Sequence, residues 1–259
     1  MRFVICLVLH ILLVMDKRDS QDAYGHEMLD YFNGAGGYEI MERDDGYITA
    51  GFDAPKVYFS DYRQWTVNER KAIRYARGKV LDVGCGAGRM MLYLKKKGHY
   101  VMGIDSSPLA VKLCRKRGLK NVRELSITQV SAGLGIFDTI LMFGGNFGLM
   151  GNPQRAGRIL QKFYKMTSAG GLIIAVSCDP YRILTKEAHE YQKRNRAMGK
   201  MSGCMRYRIR YRRYISPWYE WLMVSRREMQ VLLKGTGWAI RRYFHSSRTP
   251  AYIVVIGKE

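Results

Sequence analysis

The chain has 259 residues, 47% hydrophobic and 25% charged, a soluble globular profile long enough for one α/β domain with its core. Five scattered cysteines (Cys6, Cys85, Cys114, Cys178, Cys204) form no Cys-x-x-Cys pair and join no His/Cys cluster, so reduced thiols in a cytoplasmic protein are expected and no metal site. The formal net charge is +21, yet residues 1–65 hold 6 Lys/Arg against 11 Asp/Glu, while residues 66–181 and 182–248 each carry a net +13. This asymmetry has two readings. One is attraction to an acidic partner such as RNA or an anionic substrate; the other is an acidic N-terminal arm packed on a basic body.

Residues 3–15 are apolar apart from His10. They are shorter than the roughly 20 residues of a membrane span and lack small residues at a cleavage site, so no span is expected. An interfacial anchor and an extension ahead of a true start at Met15 both stay open, and the second is preferred. Helical spacing of Tyr24, Met28, Leu29 and Phe32 predicts a helix over 22–32, ended by the glycines after Asn33. A polar stretch over 38–47 follows, with a turn at Asp44-Asp45-Gly46. Tyr58, Phe59, Tyr62 and Trp65 predict a second helix over 58–77. Tyr58, Tyr62 and Trp65 could cap a ligand pocket, although packing against a sheet is the preferred reading.

From Lys79 the pattern alternates. Strands are predicted over 80–83, 100–104, 121–125, 137–143 and 171–177, and helices over 90–97, 108–117 and 153–167. Continuous apolar runs such as 172–176 suit parallel strands buried on both faces. A helix over 225–234, capped by Ser225, precedes strands 238–244 and 252–256. The loop between these strands is too short for a helical crossover, so they should be antiparallel. The expected fold is a Rossmann-like, doubly wound α/β/α sandwich whose seven-stranded sheet is mostly parallel with an antiparallel C-terminal strand.

Gly84-Cys85-Gly86-Ala87-Gly88 lies between a strand and a helix, where bare backbone can approach a ligand. The dinucleotide fingerprint would need a glycine where Arg89 stands. Asp82 lies inside the strand, and Asp105 ends the next strand 21 residues after Gly84. This Asp-x-Gly-x-Gly-x-Gly run resembles motif I of class I S-adenosylmethionine-dependent methyltransferases. Asp105, Phe137-Asp138 and Ala169-Gly170-Gly171 stand where that family has similar residues. The likeness spans 79–177 and the C-terminal strand pair. With Asp22-Ala-Tyr-Gly-His-Glu-Met28 and Ser216-Pro-Trp-Tyr219, the whole chain looks like a group of stand-alone methyltransferases of unassigned substrate.

The resemblance implies S-adenosyl-L-methionine as cofactor and S-adenosyl-L-homocysteine as product. It brings Gly84, Gly86 and Gly88, with the Cys85 backbone, to the amino acid part, and Asp105, followed by Ser106, to the ribose. Ser126 and Ile127 would flank the adenine, though many relatives have an aspartate at the position of Ser126. Phe143 and Gly144 would lie beside the methionine part. Asp82 is read equally as a ligand contact and as a structural hydrogen-bonder to the loop. Asn146 follows the fourth strand, where amino-methylating nucleic acid enzymes carry Asn/Asp-Pro-Pro-aromatic; both prolines are missing here. Asn146 either holds the acceptor or cofactor, as the candidate catalytic residue, or serves a glycine turn in a left-handed conformation.

The expected organisation is an extension at 1–15, a helical segment at 16–78 over the active site, and a methyltransferase core at 79–259 with an insertion at 179–224. In that insertion Arg206, Arg208, Arg210 and Arg212 alternate with Tyr207, Ile209 and Tyr211. The arginines read as a lid over an anionic acceptor, or, preferred, as the solvated face of an edge strand. His99, His189 and His245 are lone and read as incidental. Three functions stand: a small-molecule methyltransferase, preferred; a methyltransferase of RNA or other nucleic acid; and a non-catalytic S-adenosylmethionine-binding module.

Overall fold

The protein is described by a computed structural model over residues 18–52 and 54–259. The apolar stretch at 1–14 and the expected start at Met15 lie outside the described residues. Among the described residues, no helix is long and apolar enough to cross a membrane.

The N-terminal segment forms α1 (Ala23–Phe32), β1 (Glu39–Arg43), β2 (Ile48–Phe52), α2 (Ala54–Tyr58) and α3 (Val67–Ala72). Two expectations are corrected here. The segment is not purely helical: the polar stretch at 38–47 supplies β1 ahead of the expected turn at Asp44–Gly46, which closes a hairpin. The single helix expected over 58–77 is broken, because Thr66 starts a new one. Its hydroxyl accepts from Glu69 N at 3.1 Å while the Glu69 carboxylate accepts from Thr66 N at 2.9 Å.

The alternating part comprises β3 (Lys79–Val83), α4 (Arg89–Lys96), β4 (Tyr100–Asp105), α5 (Pro108–Lys116), β5 (Val122–Glu124), β6 (Phe137–Met142), α6 (Pro153–Lys165) and β7 (Thr167–Cys178). It is followed by α7 (Lys186–Ala197), β8 (Cys204–Tyr211), β9 (Tyr214–Ile215), β10 (Tyr219–Leu222), α8 (Arg226–Leu233), β11 (Trp238–His245) and β12 (Ala251–Lys258). The main sheet has seven strands in the order β11-β12-β7-β6-β3-β4-β5. The pairs among β3 to β7 are parallel, and β12 runs antiparallel to both its neighbours.

Successive residues on these strands enter opposite cores. Val80, Leu141, Ile174 and Val255 pack on the side of α3 and α4. Leu81, Ile140, Ile173 and Val254 pack on the side of α6 and α8. Both faces are therefore dry, which is why the strands read as unbroken apolar runs.

A second sheet of five strands, in the order β10-β8-β1-β2 with β9 beside β8, is built from the N-terminal hairpin and the insertion. Strand β8 is thus interior, paired on both sides, and not the edge strand expected. The N-terminal segment is anchored to the main domain by Asp22. Its carboxylate accepts from Gly25 N at 2.9 Å, capping α1, and from Ser107 Oγ at 2.8 Å and Leu109 N at 3.1 Å at the start of α5. Replacing this buried carboxylate by Ala orphans donors at two helix ends. Chemical denaturation should register Asp22→Ala as a loss of about 2–3 kcal/mol.

Candidate active site

The second sheet covers the carboxyl ends of β3, β4 and β6, where ligands bind in open α/β folds. Between the two sheets lies a cavity of about 990 Å³, at the top of the ~300–1,000 Å³ range of ligand sites and roomy enough for two ligands side by side. The structure brings Asp82, Gly84, Cys85, Gly86, Asp105, Ser106, Ser126, Ile127, Phe143, Gly144 and Asn146 to its wall. Gly88 stands apart behind it, with Cys114 and Leu119 against its Cα. His99, His189 and His245 do not line it.

The glycine loop is held from both flanks. Asn146 Nδ2 donates to Val83 O at 2.9 Å and to Gly84 O at 2.8 Å. Asp105 Oδ2 accepts from Gly86 N at 2.8 Å, and its Oδ1 from Ser107 N at 2.9 Å. Gly84 and Gly86 have φ of +69° and +52°. A Cβ at Gly84 would meet the Asn146 amide, and one at Gly86 the Tyr24 hydroxyl, so both shape and space require glycine. Asn146 itself is not left-handed. Gly144 and Gly145 take that role, at φ of +70° and +84°, and Asn146 opens the 3-10 turn that follows.

Burial dominates the electrostatics. It raises Asp82 to about 7 despite the opposing charge of Arg89, and Asp105 to about 6 against the hydrogen bonds from Ser107 and Gly86. A hydrogen bond with Cys114, then burial, push the Cys85 thiol up, so Cys85 presents backbone to the cavity and no thiolate. Arg89 is turned to Glu69 at 2.6 Å, tying α3 to the start of α4.

The opposite wall was not foreseen. One face of the second sheet presents Glu39 and Met41 from β1, Tyr207 and Ile209 from β8, and Tyr219 and Trp221 from β10. Tyr24 of α1 and Tyr58 at the end of α2 complete it. Of the three aromatics in doubt, Tyr58 lines the cavity. Tyr62 and Trp65 instead pack with Tyr93 against the main sheet, with ring centroids 4.7 and 5.1 Å from it.

The other face carries the arginines. Arg208 pairs with Glu42 at 2.7 Å and Arg210 with the same carboxylate, which they hold down at about 2. Arg212 lies beyond β8 in a left-handed turn, 3.2 Å from Asp30. The lid reading fails, because none of the four arginines lines the cavity. The solvated reading holds for Arg206, which is exposed with its guanidinium over Trp218, whereas Arg208, Arg210 and Arg212 are paired with the acidic N-terminal segment, so that segment does pack on a basic body.

Glu39 is the residue that sequence reasoning missed. The residue is 6% exposed, and its Oε2 has no hydrogen-bond partner among the described residues. Burial alone lifts its carboxyl to about 7. Nothing local marks it, since its strand is seated by β8 and β10, about 165 to 180 residues further along the chain.

Residues 80–171 match the family model described as a methyltransferase domain. A tRNA (uracil(54)-C(5))-methyltransferase of Pyrococcus furiosus is 29% identical over 163 residues, covering 59% of this chain and 36% of that protein. A 2-heptyl-1-hydroxyquinolin-4(1H)-one methyltransferase of Mycobacteroides abscessus is 45% identical over 49 residues, 17% of this chain and 22% of that protein. The chain thus spans well under half the length of these curated relatives. The crystal structure of an S-adenosylmethionine-dependent methyltransferase from Bacteroides fragilis, in complex with S-adenosyl-L-homocysteine, superposes with a TM-score of 0.76 at 22% identity. It covers 92% of this chain and 95% of that one, so the class I fold extends over both sheets.

Because the folded carboxyl of Glu39 titrates near 7 and an unfolded one near 4.5, the folded state loses stability as pH rises between these values. Glu39→Gln removes that loss. Thermal or urea unfolding should find the variant more stable than the parent by about 1–3 kcal/mol at pH 8, with the gap closing toward pH 4.

Proposed function

We infer that this chain, matched by the methyltransferase-domain family model over residues 80–171, is an S-adenosylmethionine-dependent methyltransferase acting on a small molecule. The observation that carries the inference is the glycine loop fixed between Asn146 and Asp105 on a cavity with room for a second ligand. The residues suit the cofactor. Gly84 and Gly86 offer backbone without side chains, and Asp105 keeps lone pairs for a ribose diol after accepting two N–H groups. Ile127 offers an apolar surface for a purine, beside Ser126. Phe143 and Gly144 border the space left for the methionine part. When bound, S-adenosylmethionine supplies a methyl group on a positively charged sulfur and leaves as S-adenosyl-L-homocysteine.

The protein's own work is positional. Asn146 shapes the loop through two carbonyls and has no proton to exchange, so its role is to hold the cofactor's seat. The aromatic wall excludes water and aligns an acceptor with the methyl group. Organisation follows: a core from about residue 79, with the N-terminal segment and the insertion at 179–224 together building the acceptor wall.

A nucleic acid acceptor is the second reading, favoured by the net charge of +21 and the archaeal relative that acts on tRNA. Against it, Arg208, Arg210 and Arg212 of the basic insertion stay out of the cavity wall and are paired with Glu42 and Asp30 of the N-terminal segment. Incubation with methyl-labelled cofactor and total RNA separates the two, since the small-molecule reading expects no label in RNA. Calorimetry tests the cofactor site. Asp105→Ala should weaken S-adenosylmethionine binding about 10- to 100-fold, the loss of about 1–3 kcal/mol expected for a buried hydrogen-bonding group. Unchanged affinity would refute the assignment.

A further inference from the structure

We propose that the acceptor is a protonated amine carried on an apolar body, and that Glu39 receives its ammonium group and takes its proton. This rests on the methyltransferase reading above. Four observations on this chain converge on it.

Glu39 lies on the acceptor wall, buried, with Oε2 unmatched by any hydrogen-bond donor among the described residues. Leaving a carboxylate oxygen so is costly unless a ligand supplies the donor. No Lys, Arg or His of the described residues forms an ion pair with it. The groups that do feel its charge are phenols: Tyr24 from α1, Tyr58 at the end of α2 and Tyr219 from β10. Burial raises all three well above their usual range, so they stay neutral. Glu27 and Arg89 are also felt at Tyr58, and Asp105 at Tyr24. The cations of the cavity wall, Arg18, Arg89 and Arg155, are paired with Glu124, Glu69 and Glu220. A carboxylate in a cavity wall shared with neutral aromatic side chains is a receptor for a cation, because ring quadrupoles and the carboxylate attract the same charge. The same wall disfavours an anionic acceptor.

The position is also right for transfer. The Tyr24 hydroxyl stands against Gly86 of the cofactor loop while Tyr24 also feels the charge of Glu39. Glu39 therefore sits across the cavity from the loop. An ammonium cannot attack, since it has no lone pair. Glu39, with a carboxyl near 7, is poised to accept one proton at neutral pH. The freed amine nitrogen then forms a bond to the methyl carbon as the carbon–sulfur bond breaks, its electron pair going to sulfur. The products are an N-methylammonium ion, the neutral thioether S-adenosyl-L-homocysteine and protonated Glu39, which releases its proton to water as the product leaves.

The test has two arms on the full chain. In the first, benzylamine and benzyl alcohol are titrated at pH 7.5 while tryptophan fluorescence is followed, Trp221 being in the wall. The amine should bind at least tenfold more tightly than the alcohol, and the preference should vanish in Glu39→Gln, whose affinity for S-adenosyl-L-homocysteine stays unchanged. Equal binding of the two probes, or a preference that persists in the variant, would overturn the proposal. In the second, methyl-labelled cofactor is supplied with a metabolite extract split by cation exchange. Label should enter the retained, amine-bearing fraction and fall at least 100-fold in Glu39→Gln. Label in the unretained fraction would overturn the proposal. An amine preference with no label in any fraction would refute the methyltransferase reading and leave the amine site standing.

Discussion

The site depends on one side-chain amide. Asn146 Nδ2 bonds two consecutive carbonyls, of Val83 and Gly84, at the point where β3 leaves the sheet. Those carbonyls end a parallel ladder and would otherwise face the cavity without donors. By satisfying them, Asn146 sets the course of the glycine loop, and Asp105 secures its far side through Gly86. The clamp reaches further. The 3-10 turn that Asn146 opens presents Gly148 to the ring of Trp221, leaving no space for a side chain. The loop that holds the cofactor side is thereby packed on the sheet that forms the acceptor side.

The second sheet divides its chemistry between its faces. Strand β8 alternates, so its arginines share one face with Glu42, while Tyr207 and Ile209 share the other with Met41. Pairing across the sheet uses the acidic N-terminal segment to neutralise the basic insertion locally. The overall charge of +21 therefore describes the molecule's field and not the lining of its cavity. In the cavity wall the buried charged residues are acidic: Asp22, Glu39, Asp82 and Asp105.

How much of this was legible follows from where each signal is written. The main sheet was legible because strands covered on both faces are mostly apolar, and β7 shows it in the unbroken run from Ala169 to Val176. The cofactor residues were legible because glycines and a carboxylate at fixed spacing carry their geometry locally. Strand β1 was not, because Glu39-Ile40-Met41-Glu42-Arg43 is polar in composition and owes its extended form to pairing with β8, far along the chain. The break at Thr66 was hidden behind aromatics whose helical spacing comes from the end of α2 and the turn after it, all ahead of Thr66. Asn146 was visible as a loop residue, but its two carbonyl partners belong to another strand. Glu39 was invisible for the same reason at larger scale: its burial is made by elements remote in sequence.

The most direct measurement is calorimetric titration of S-adenosyl-L-homocysteine into the protein and into Asn146→Leu, which keeps the bulk of the side chain and loses both donated hydrogen bonds. Wild type should bind one equivalent. The variant, folded by circular dichroism, should bind at least about tenfold more weakly, since two buried carbonyls lose their donors and the loop its shape. Failure of the wild type to bind, or equal affinity in the variant, would contradict the account.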